Sequence, residues 1–78
     1  MALIEVLGPG CPKCKLLMER IEEATESLGG EFFIRKVVDP VEIAARGVLS
    51  TPAFSVDGVV KSQGHVPTVA AITELLSS

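Results

Sequence analysis

The sequence is short of several things, and each shortage removes a class of protein. Its 78 residues contain two cysteines, one histidine, no tryptophan and no tyrosine. Two cysteines, Cys11 and Cys14, cannot build the cross-linked framework of a small secreted domain, and they stand too close in sequence to join distant elements. A closed zinc site wants four ligands; Cys11, Cys14 and His65 supply three, so any fourth would have to be a carboxylate. No run approaches the roughly 18 apolar residues needed to span a bilayer. The start, Met-Ala-Leu-Ile-Glu-Val-Leu, lacks the basic segment of a secretory signal, and Glu5 interrupts its apolar run. Positive charge is also scarce: seven Lys and Arg against ten Asp and Glu give a net charge of −3. That balance argues against a nucleic-acid or anionic-membrane partner. The expected location is the cytoplasm, where a cysteine pair is redox-active or metal-binding more often than structural.

What is present points to a folded chain. At 47% apolar residues it can bury a core, which a disordered segment cannot. Without linker, repeat or low-complexity tract, residues 1–78 are read as one domain, and as a monomer. Residues 2–7 read as a strand ended by Gly8-Pro9-Gly10. Pro12 suits the first position of a helix. Leu17, Ile21, Ala24 and Leu28 mark its buried face, and Gly29-Gly30 its end. Glu19, Glu22, Glu23 and Glu26 read as its solvated side. Residues 31–38 predict a second strand. Asp39 and Pro40 predict the N-cap and first residue of a short helix that Gly47 ends. Asp57-Gly58 between residues 53–56 and 59–62 is a hairpin signal. Val69, Ile72, Leu75 and Leu76 predict a last amphipathic helix, opened by Pro67 or Thr68. The order β-α-β-α-β-β-α predicts an α/β fold: a four-stranded mixed sheet with three helices, its first two strands parallel. Phe32, Phe33 and Phe54 are read as core or edge packing, and His65 as a surface residue.

The chemistry lies in Gly8-Pro9-Gly10-Cys11-Pro12-Lys13-Cys14-Lys15. Two cysteines spaced C-x-x-C at a strand-to-helix junction read as a dithiol–disulfide site. At the helix N-cap, Cys11 would face unpaired N–H groups and the positive end of the helix dipole, which favour thiolate. Lys13 and Lys15 add charge of the same sense. Cys14, one turn further in, is the resolving thiol, and Cys11 the attacking nucleophile. The same two thiols could instead carry Cu(I) or zinc, or serve as a redox sensor without turnover.

With Thr51-Pro52 ahead of the hairpin and Ser55-Val56-Asp57-Gly58 within it, the whole chain resembles the minimal glutaredoxin-like thioredoxin family, small redox-active disulfide proteins. The resemblance implies a thioredoxin-like fold and a thiol–disulfide oxidoreductase. It implies no cofactor beyond the Cys11–Cys14 disulfide, with protein disulfides and a reductase as partners. It also implies a substrate-binding edge of Thr51 and Pro52, Pro52 being cis, with Pro12 and Lys13 beside the cysteines. From its residue type alone Pro52 reads as a trans edge-strand proline. The chain departs from thioredoxins in having no Trp before its cysteines. It departs from glutaredoxins at Gly64-His65-Val66-Pro67, which lacks the second glycine and the acid used on glutathione. Thioredoxins carry a buried acid six positions before the first cysteine. Glu5 stands there, either as an aid to proton removal from Cys14 or, as its residue type favours, as an exposed or edge-facing glutamate.

Overall fold

The structure, a computed structural model, describes residues 2–10 and 12–77. The described residues form strand β1 (Ala2–Leu7), helix α1 (Pro12–Leu28), strand β2 (Phe32–Val37), helix α2 (Pro40–Ala45), strands β3 (Ala53–Val56) and β4 (Val59–Gln63), and helix α3 (Val69–Ser77). The strands lie in the order β2-β1-β3-β4. β1 runs parallel to β2 and antiparallel to β3, and β3 is antiparallel to β4. The predicted order and sheet are thus the observed ones, with ends moved by a residue or two.

Local chemistry explains the boundaries. Asp39 caps α2, its carboxylate accepting from the Val41 N–H at 2.9 Å, and Pro40 follows where an N–H would go unused. Thr68 caps α3, its hydroxyl accepting from the Ala71 N–H at 3.1 Å, so the helix starts at Val69 rather than at Pro67. Asp57 and Gly58 both take positive φ, 49° and 87°, as a two-residue hairpin turn requires. Asp57 also ties the turn to β1. Its carboxylate accepts from the Leu3 N–H at 2.9 Å, and its own N–H donates to the Leu3 carbonyl at 2.8 Å.

Strand alternation divides the core between the two faces of the sheet. On one face Ile4, Val6 and Phe54 pack under Leu17, Ile21 and Ala24 of α1 and Ile72 of α3. On the other, Leu7, Val37 and Ala53 meet Ile43 of α2 and Val48 beyond it. Phe54 is fully buried, Phe32 packs at the edge of the first cluster, and Phe33 is largely exposed. Both faces meet at the carboxyl end of β1, where the chain turns through Gly8 into α1.

Candidate active site

Three segments converge there: the end of β1, the first turn of α1, and the loop entering β3. Because α1 begins at Pro12, Cys14 falls on its inner side and is buried. Gly8 continues the parallel pairing, its N–H donating to the Val37 carbonyl at 3.0 Å. A Cβ on Gly8 would run into Cys14 Sγ and would lie 3.9 Å from Thr51 Cβ. Only glycine therefore lets the backbone pass between the Cys14 sulfur and Thr51. The Thr51–Pro52 peptide is cis; Pro52 is buried and Thr51 exposed. Among the described residues no hydrogen bond engages the Thr51 N–H or carbonyl. The Thr51 backbone groups are thus not engaged within the described fold.

Cys11, with its expected place at the N-cap, lies outside the described residues. Pro12 and Lys13 are exposed at the start of α1. The first turn holds no acid; Lys13 and Lys15 come before the first acid, Glu19. Helix dipole and side-chain charge therefore point the same way, toward stabilising negative charge at this end. A groove of about 280 Å³ runs past Cys14, walled by Val6, Gly8, Met18 and Val38 and rimmed by Lys15, Glu19 and Lys36. A second hollow, about 250 Å³, lies between Pro9, Thr51 and the α2 side, lined by Pro40, Ile43, Val48 and Leu49. His65 is exposed in the loop before α3. Among the described residues no group of three or more His, Cys, Asp or Glu is gathered to hold a metal ion.

Glu5 departs from the expectation of an exposed or edge-facing side chain: it is 5% exposed. It lies on the α2 face, opposite Arg35 on β2 and Ser55 on β3. Arg46, the C-cap of α2, grips it with two parallel bonds, Nε to Oε1 at 3.0 Å and Nη2 to Oε2 at 2.8 Å. Arg35 Nη1 adds a longer contact at 3.9 Å. The Arg46 bonds hold the Glu5 carboxyl below its ordinary pKa, against the opposing effect of burial, with further help from the charges of Arg46 and Arg35. A carboxylate so held is ionised at neutral pH and already committed to guanidinium donors, which makes it a poor reservoir for the Cys14 proton. Residue type alone misses this, because the partner stands 41 positions away.

Comparisons with known proteins identify the family and the fold. The model of the thioredoxin domain family matches residues 2–77. A thioredoxin of Methanocaldococcus jannaschii is 41% identical over all 78 residues, which span 90% of that protein. A probable thioredoxin of Methanothermobacter thermautotrophicus is 32% identical over 65 residues, 78% of this chain and 76% of that one. Among solved structures, a thioredoxin-2 described as a component of the malaria parasite's protein secretion machinery superposes with a TM-score of 0.70 at 17% identity, covering 99% of this chain and 82% of that one. Another malarial protein gives 0.73 at 12% identity, covering 99% and 94%. These distant likenesses speak to the fold. The chain belongs to the thioredoxin domain family, an enzyme of the thiol–disulfide oxidoreductase class.

Proposed function

We propose that this chain, working as one domain, transfers two electrons between protein disulfides and a reductase through Cys11 and Cys14, with no cofactor. The Cys11 thiolate attacks one sulfur of a substrate disulfide. A mixed disulfide forms, and the other substrate sulfur leaves as thiolate. The Cys14 thiolate then attacks the Cys11 sulfur, closing the Cys11–Cys14 disulfide and releasing the second substrate thiolate. The reductase returns the two electrons by the reverse exchange. The substrate chain lies against Thr51 and Pro52 as an added strand, with Pro12 and Lys13 on its other side.

The observation that carries this reading is the convergence of Gly8, the buried Cys14 sulfur and Thr51. A buried second thiol beside an unengaged backbone edge suits a resolving role, since the substrate must be docked before that thiol acts. The test is insulin reduction by the wild type, Cys11→Ser and Cys14→Ser. Cys11→Ser is expected to abolish turnover and Cys14→Ser to stall it after one attack. Turnover unaffected by Cys11→Ser would end the proposal. Tight Cu(I) binding with no turnover would favour a metal carrier instead.

A further inference from the structure

The segment that leads to Thr51 and Pro52 is anchored unevenly. At its start Arg46 is bound to Glu5, and Val48 is buried with Leu7 and Ile43. At its end Pro52 is buried, and its carbonyl accepts from the Gly64 N–H at 3.0 Å. Between these points Leu49, Ser50 and Thr51 are all exposed, Leu49 by 92%. No burial holds this stretch in place. Among the described residues one side chain does: Gln63, the last residue of β4, whose Oε1 accepts from the Leu49 N–H at 2.9 Å and from the Ser50 N–H at 3.4 Å. Two N–H donors converge on one amide atom, so that atom is the oxygen.

We infer that Gln63 is a positioning residue for substrate docking: its amide oxygen fixes the Leu49–Thr51 backbone as a ready edge for the incoming chain. The inference rests on the docking role proposed above for Thr51. Gln63 does not face the reacting sulfurs; it acts through the backbone it holds. A docking edge already fixed loses less freedom when the substrate pairs with it. Removing the tie therefore weakens binding of an extended chain and leaves the exchange step at the sulfurs unchanged. Gln63 is exposed, so its replacement is compatible with folding.

Two variants separate this from a general structural role. Gln63→Met keeps the length and removes the acceptor; Gln63→Glu keeps an oxygen that both N–H groups can use. Gln63→Met is expected to raise KM for insulin about threefold to tenfold, the size of one net hydrogen bond. Its kcat should stay as in the wild type, as should reduction of the small disulfide 5,5′-dithiobis(2-nitrobenzoate), which needs no extended docking. Gln63→Glu should restore the wild-type KM. In amide hydrogen exchange by NMR, Leu49 and Ser50 should exchange several-fold faster in Gln63→Met and at the wild-type rate in Gln63→Glu. Unchanged exchange and KM in Gln63→Met, equal loss on both disulfides, or a Gln63→Glu variant indistinguishable from Gln63→Met would each overturn the inference. If the exchange result holds while the wild type reduces no disulfide, the tie stands and the proposed docking function falls.

Discussion

The two faces of the sheet are built on different terms. The face under α1 and α3 carries the larger apolar core: Ile4, Val6, Leu17, Ile21, Ala24, Phe54 and Ile72 form one buried cluster, with half-buried Met18, Phe32 and Ile34 around it. Its polar side chains, Lys36 beside Val6 and Ser62 beside Phe54, stand on the outer strands. The face under α2 has a smaller cluster, and α2 itself is six residues long. Next to that cluster lies the buried carboxylate of Glu5, held by Arg46 at the α2 C-cap and by Arg35, and then the exposed pair Leu3 and Phe33. Yet this second face carries the loop that presents Thr51. One face supplies most of the apolar burial, which dominates folding. The other spends specific polar ties on placing one exposed segment. A chain this small buries only about 60–65% of its unfolded surface, so it has little room for both tasks on one face.

Breaking the comparison at its strongest point means cutting into the first face. Phe54→Ala should cost about 3–5 kcal/mol, a large part of the roughly 4–12 kcal/mol expected for a domain of this length. Val48→Ala on the second face should cost only about 1–2 kcal/mol. Urea midpoints measure both, and equal losses would erase the contrast. Gly8→Ala strikes where the faces meet. The added methyl must displace the Cys14 sulfur, and a shift of about 1 Å at a reacting group can cost roughly 100-fold in rate. Insulin reduction should fall by about 10- to 100-fold, well beyond the loss shown by Val48→Ala.

The polar tie on the second face should show in acid. The folded pKa of Glu5 lies below its unfolded value. Its stabilising contribution is therefore complete above the ordinary glutamate pKa of about 4.3 and is lost as pH falls through the lowered folded value. Glu5→Gln should lower the melting temperature at pH 7 and flatten its fall below about pH 4. If Glu5 served as the proton acceptor for Cys14, the same variant would also move the pH–rate profile near neutrality; here that profile should stay in place. The smallest effect on stability is expected from Leu49→Ser. At 92% exposure the change should stay within about 0.5 kcal/mol, while KM for a protein disulfide rises about twofold to fivefold through lost apolar contact.

Much of this plan can be read from residue order. The apolar spacing of α1, the Asp39-Pro40 start of α2 and the Asp57-Gly58 turn are local signals, and local physics determines each of them. The place of Cys14 in the first turn of α1 was legible for the same reason, from its position two residues after Pro12. The ties that place Thr51 were not. Glu5 with Arg46, and Gln63 with Leu49 and Ser50, are contacts between elements distant in sequence, and a lone glutamate or glutamine carries no periodic signature. The need for glycine at position 8 was half visible: the Gly-Pro-Gly run signals a turn, but the collision with Cys14 exists only once α1 packs against β1.

The most direct measurement is intact-mass analysis of Cys14→Ser mixed with a protein disulfide. The account predicts one stable adduct, joined through Cys11 and dissolved by dithiothreitol, with no such adduct for Cys11→Ser. Adduct formation in the absence of Cys11, or steady turnover by Cys14→Ser at the wild-type rate, would contradict it.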